Sequence, residues 1–169
     1  MFEECPIEYG IDLPASSISY YTYGNMFYNC TSLKSSGEIL ATSFLNTTVC
    51  QEMFSGCTNL ITGPSILPAI ESTRYAYLRM FYNCVKLEKA PILPMTQLYT
   101  ECYKEMFKGC SSLKEYQVAF TEWPTNNGTL NWINGARNNS DVIFKCPAAL
   151  DTTIKDNSHV LSDWTIINI

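Results

Sequence analysis

The residues of this 169-residue chain that are most able to do chemistry are its eight cysteines. A thiolate can act as a nucleophile or a metal ligand, but zinc sites usually pair cysteines as C-x2-C, and no such pair occurs here. If neighbouring cysteines lay on adjacent strands about 4.8 Å apart, disulfides would fit by distance. Side chains along such a ladder point the same way, however, so we predict buried free thiols and keep disulfides as the alternative. The sequence predicts no metal and no cofactor.

Few other residues could support catalysis. The chain holds one histidine, His159, and catalytic sites that use imidazole usually combine it with groups from several segments. Carboxylate pairs such as Glu3 with Glu4, or Glu101 with Glu105, could in principle exchange protons, but we interpret them as solvated charges. The sequence therefore predicts a protein that is not an enzyme and has no catalytic residues.

The cysteines belong to an internal repeat that must position them. The string Met-Phe-x-x-Cys begins at residues 1, 26, 53, 80 and 106, and a leucine follows four of these cysteines by three residues. Because one such unit cannot bury its own apolar face, we predict that stacked units place equivalent side chains in core ladders. The predicted ladders contain Cys5, Cys30, Cys57, Cys84, Cys110, Phe27, Phe54, Phe81, Phe107, Leu33, Leu60, Leu87 and Leu113.

Each unit divides into two halves. Before the cysteine, as in residues 99–110, apolar residues recur at spacings of three and four, which predicts a short helix facing a core. After the leucine, as in residues 87–94, prolines exclude a helix, and we predict a short strand that ends in a turn. Tyr23, Tyr77 and Tyr103 stand three residues before a methionine, so we assign them to packing.

The repeat resembles the BspA-like class of bacterial leucine-rich repeats, in the variant MFxGCxxL followed by PxLPA and CYxxMF. The resemblance is close from Cys57 to Ala69, from Cys84 to Pro94 and from Cys102 to Leu113. It implies an α/β fold, a right-handed solenoid with short parallel strands stacked on one face and short helices or turns on the other. It also implies a five-repeat solenoid over residues 1–120 and a C-terminal cap over residues 121–169. Trp123, Trp132 and Trp164 then cover the last repeat.

Composition excludes several partners. The formal net charge of -5 leaves no basic surface for nucleic acid. No apolar run is long enough to span a bilayer, so we predict no direct membrane insertion. Because Met1 is already a repeat methionine, we expect the remainder of a longer parent chain to precede it.

The resemblance implies adhesion or recognition rather than chemistry. We expect a recognition module of a cell-surface or secreted bacterial protein, extracellular in location, that binds a protein or glycan on a cell surface through its sheet face. The alternative is a structural or host-recognition part of a phage virion, such as a tail or head fibre. Strand residues that vary between repeats are the candidate ligand-binding positions: Lys34, Ser35, Ile61, Thr62, Ser65, Glu88, Lys89, Lys114, Glu115 and Gln117.

Overall fold

Parallel strands join the repeats. The computed structural model describes residues 2–15, 17–18, 21–41, 43–44, 47–68 and 74–169, so Met1 and Ala69 lie outside the described residues. The strands are β1 (Ser17–Ile18), β2 (Ser43–Phe44), β3 (Lys89–Leu93), β4 (Glu115–Val118), β5 (Ile143–Cys146) and β6 (Thr165–Asn168). Strand β1 pairs with β2, and β3-β4-β5-β6 form a four-stranded sheet in which every pair is parallel. The predicted parallel sheet is confirmed.

The sheet continues towards the N-terminus as single bridges. Tyr9 pairs with Ser35, Ser35 with Thr62, and Thr62 with Lys89, the first residue of β3. In β4, Tyr116 and Val118 are buried whereas Glu115 and Gln117 are partly exposed, as expected for a strand with one face on a core. We call the four-stranded sheet and these bridged residues the strand side of the molecule.

The prediction of a short helix before each cysteine is wrong, and turns, which the resemblance also allowed, are present instead. Residues 99–110 form consecutive turns, and the part of the chain that the structure describes contains no helix. Glu101, Glu105 and Gly109 have φ values of 54°, 51° and 81°, and each is the third residue of a hydrogen-bonded four-residue turn. The apolar spacing therefore reflects a turn that repeats every four residues, rather than the 3.6-residue period of a helix. Equivalent turn segments form the turn side of the molecule: residues 21–30, 48–57, 75–84, 101–110 and 127–136.

Backbone hydrogen bonds connect each turn segment to the next. In residues 101–110 the N–H groups alternate: Met106 donates to Tyr103 of its own turn, whereas Phe107 donates to Trp132 of the following segment, with N···O distances of 3.1 and 2.7 Å. Phe54 and Phe81 donate in the same way to Met80 and Met106. A left-handed residue other than glycine costs about 1 kcal/mol or more, and these bonds between segments offset that cost.

One left-handed position alternates between asparagine and glycine from the second to the fifth Met-Phe-x-x-Cys unit, whereas Glu4 occupies it in the first unit and Gly135 in residues 127–136. Asn29, Gly56, Asn83 and Gly109 occupy it in successive segments, always one residue before the motif cysteine. A Cβ atom added at Gly109 would lie 2.3 Å from Oδ1 of Asn83, and one added at Gly56 would lie 2.0 Å from Oδ1 of Asn29. The asparagine side chain of one segment therefore occupies the space above the glycine of the next.

The core is a set of ladders that run across the repeats. Rings of Phe2, Phe27, Phe54, Phe81 and Phe107 stack in order with centroids 5.4–5.6 Å apart. Leu33, Leu60, Leu87 and Leu113 are fully buried beside them. The ladder departs from the repeat at one place: Ile39 is buried and Leu40 is exposed, although the spacing aligns Leu40 with Leu67 and Leu93. In the same region Gly37 approaches the backbone of Ile11 so closely that a Cβ there would lie 2.1 Å from its carbonyl carbon.

Residues 121–169 add two strands and an aromatic cluster. Trp132 packs against Phe107 at the end of the phenylalanine ladder, with centroids 6.1 Å apart, and Trp164 stacks on Tyr116 at 4.6 Å. Their indole N–H groups donate to the carbonyls of His159 and Arg137. Searching the described residues for a helix long and apolar enough to cross a membrane finds none.

Candidate functional site

The repeat cysteines are buried thiols. All eight cysteines are free, and each thiol of Cys57, Cys84 and Cys110 donates to the phenylalanine carbonyl of the preceding repeat, at S···O distances of 2.9–3.0 Å. Cys30 contacts the Phe2 carbonyl in the same way, and Cys5 is half-buried. Burial raises the pKa of Cys57 to about 12 and raises that of Cys84 and Cys110 as well. Thiols held protonated in this way are poor nucleophiles.

Of the four carboxylates named from the sequence, Glu101 and Glu105 are paired with cations, and Glu3 and Glu4 are exposed. Glu101 contacts Lys104, and Glu105 accepts hydrogen bonds from Arg79 and Lys108 at 2.6 and 2.8 Å. Burial raises the pKa of Glu105, but the bonds from Lys108 and Arg79 outweigh it and the net pKa is lowered. Within the described ranges, no three His, Cys, Asp or Glu side chains are grouped so that they could hold a metal ion. The pair between Arg79 and Glu105 joins two neighbouring turn segments, whereas Glu101–Lys104 and Glu105–Lys108 lie within one segment.

The ten candidate binding residues lie together on the strand side. Ser35, Thr62, Lys89 and Glu115 form one row of bridged partners across four repeats. The residues that precede them, Lys34, Ile61, Glu88 and Lys114, are joined by N–H to carbonyl bonds in the same order. Gln117 is the register partner of Ile92 in the next row, and Ser65 hydrogen-bonds to Glu38.

Charges on this surface are largely neutralised by one another. Glu115 Oε1 lies 3.0 Å from the ammonium nitrogen of Lys145 and 3.2 Å from that of Lys89. The hydrogen bond from Lys145 is the main cause that lowers the pKa of Glu115. Lys34 likewise contacts Glu8 at 2.8 Å, and that hydrogen bond raises the pKa of Lys34. The surface therefore presents alternating charges instead of a field of one sign.

A depression of about 460 Å³ opens between the third and fourth repeats on the strand side. Apolar atoms form most of its wall. Five of the candidate residues line it: Ile61, Thr62, Ser65, Glu88 and Lys89. Sequence reasoning missed the other five lining residues, which are Glu38, Gly63, Pro64, Ala90 and Ile92. The carboxylate of Glu38 accepts bonds from the backbone N–H and the hydroxyl of Ser65 and so shapes one wall. The sequence does depart from the repeat at this place, because Gly37, next to Glu38, stands seven residues after the motif cysteine, where later repeats carry Pro64 and Pro91.

Comparison with known proteins gives no relative: no family model, no curated protein and no solved structure matches this chain. The leucine-rich-repeat family named from the motifs consequently stays a prediction. Function has to be argued from the depression and the rows of side chains beside it.

Proposed function

We propose that the protein is a noncatalytic recognition module of the leucine-rich-repeat solenoid class, which binds a protein or glycan of a cell surface through its strand side. The observation that carries the proposal is the depression lined by Ile61, Thr62, Ser65, Glu88 and Lys89. Each of these residues differs from its equivalents in other repeats, while the buried residues next to them keep their type. A fixed scaffold with variable exposed positions is the arrangement that repeat proteins use for binding.

The chemistry of the two sides supports a binding role. Ile61 and Ile66 are exposed by 45% and 47%, and they provide apolar contact area beside the paired charges of Lys89 and Glu115. Apolar contact inside a polar, charge-complementary rim is typical of non-obligate interfaces. The thiols, by contrast, are protonated and buried, so they supply no nucleophile.

Binding of the fluorescently labelled protein to bacterial and epithelial cells tests the proposal. The informative variant is Ile61→Asp, which puts a charge into the apolar wall of the depression. Its matched control is Ile154→Asp, at a site in the C-terminal part that is 41% exposed. We expect saturable binding that Ile61→Asp weakens at least about tenfold and Ile154→Asp leaves unchanged.

Pretreatment of the cells identifies the ligand class. Loss of binding after glycan removal assigns a glycan, and loss after protease treatment assigns a protein. Equal binding by the two aspartate variants contradicts the assigned surface. If the native protein binds no cell, a structural role such as a part of a phage fibre becomes the better explanation.

A further inference from the structure

A second cavity, of about 580 Å³, lies between residues 96–99 and residues 121–126, away from the depression on the strand side. Its exposed polar side chains include Thr96, Gln97, Glu122 and Thr125. In the part of the chain that the structure describes, none of these four makes a side-chain hydrogen bond or ion pair. On the strand side Lys34, Lys89 and Glu115 are paired, whereas Glu88 and Lys114 resemble these four residues in making no side-chain bond within the described residues.

Half-buried aromatic and apolar residues form the rest of the lining, among them Tyr99 and Trp123. Trp123 is held firmly: its indole N–H donates to the Asp151 carbonyl at 2.6 Å, and its ring meets those of Phe120 and His159 at centroid distances of 5.3 and 4.9 Å. An aromatic wall that is already ordered loses little conformational freedom when a ligand packs against it.

We infer that this cavity binds a neutral saccharide unit. A sugar ring carries hydroxyl groups that donate and accept hydrogen bonds, and the amide of Gln97, the carboxylate of Glu122 and the threonine hydroxyls offer both kinds of partner. Its C–H surfaces suit the aromatic and apolar wall of Tyr99 and Trp123. The volume falls in the range of ordinary small-molecule sites.

Charge selects against the acidic alternatives. The residues that line this cavity include Glu122 and no lysine, arginine or histidine, so an anionic sugar or a phosphate would meet repulsion with no compensating cation. The inference goes beyond the proposed recognition surface and is independent of it, because the two cavities have no lining residue in common.

The test is titration of the full chain with methyl glycosides of glucose, galactose and mannose and with N-acetylglucosamine. Saturation-transfer NMR and tryptophan fluorescence are the readouts. A single sugar with a few hydrogen bonds is expected to bind with a Kd of about 1 mM or weaker. The double variant Gln97→Ala/Glu122→Ala removes two exposed groups without internal partners, so we expect an unchanged melting temperature and binding weakened about tenfold or more.

The control is Glu3→Ala, which removes an exposed carboxylate that lines neither cavity and is expected to bind sugar like the native protein. The inference is overturned if no neutral sugar binds at about 50 mM. It is also overturned if the Gln97/Glu122 variant binds as tightly as the native chain, or if N-acetylneuraminic acid binds and neutral sugars do not. Failure here leaves the cell-binding test of the strand side unaffected, and the reverse is equally true.

Discussion

The turn side and the strand side differ in how much of their structure repeats. On the turn side, backbone bonds such as those from Phe54 to Met80 and from Phe81 to Met106 recur between successive segments, and a thiol donates to a phenylalanine carbonyl from Cys30 to Cys110. On the strand side, regular pairing is limited to β3–β6, and single bridges link the repeats before it. The turn side therefore fixes the register of the repeats, which leaves the strand side free to vary its exposed residues.

Alkaline pH tests this comparison most strongly, because the buried thiols with raised pKa values are concentrated on the turn side: Cys50, Cys57, Cys84, Cys102 and Cys110. The unfolded chain releases thiol protons near pH 8.5, whereas the folded chain keeps them until about pH 12 at Cys57 and Cys102. Between these values the unfolded state binds fewer protons, so stability falls as pH rises.

At pH 10 each fully shifted thiol costs about 2 kcal/mol, and a few of them together match the total stability of an ordinary domain. Urea unfolding between pH 7 and pH 10.5 measures the loss. The variant Cys57→Ala, compared at each pH with the native protein, is expected to show a shallower decline. A free energy of unfolding that stays constant to pH 10 contradicts the burial of the thiols.

Truncation of a core leucine has the next largest effect. Leu87 is fully buried, so Leu87→Ala is expected to cost about 2–5 kcal/mol. Lys89 lies two residues further on, and its side chain is 65% exposed, so Lys89→Ala is expected to change stability by less than about 0.5 kcal/mol. Thermal and urea unfolding compare the two variants. Equal melting temperatures are incompatible with the assigned inward and outward positions.

A smaller effect is expected at the alternating left-handed position. Gly109→Ala introduces a Cβ at a φ of 81° and against Oδ1 of Asn83, so we expect a loss of about 1–2 kcal/mol. In the background Asn83→Gly the collision is absent while the φ cost stays, so the same change is expected to cost less. A double-mutant cycle measured by urea unfolding checks this. Strictly additive effects would exclude contact between the two segments.

The sequence predicted the parallel strands but not the turns. Prolines within residues 87–94 exclude a helix and favour a strand, and the structure agrees. In residues 99–110, apolar spacings of three and four fit both a helix and a four-residue turn repeat. Asn29, Gly56, Asn83 and Gly109 were the available signal, because asparagine and glycine are the residues that most readily adopt positive φ.

The candidate site, like the fold, could be predicted from the sequence only in part. Variable positions could be read from the repeat, and five of them line the strand-side depression. Its shape also depends on Glu38, Pro64 and Ile92, which come from three different repeats and are not among the variable positions read from the sequence. The cavity between residues 96–99 and 121–126 joins loops about 25 residues apart, and only the folded chain brings them together.

The pairing of asparagine with glycine also makes neighbouring repeats unequal. Asn29 occupies the space above Gly56, and Asn83 occupies the space above Gly109. Exchanging the repeats that contain Gly56 and Asn83 would place Asn29 against Asn83 and would bring two side chains into a space shaped for one. Neighbouring repeats in this part of the array are therefore not interchangeable modules.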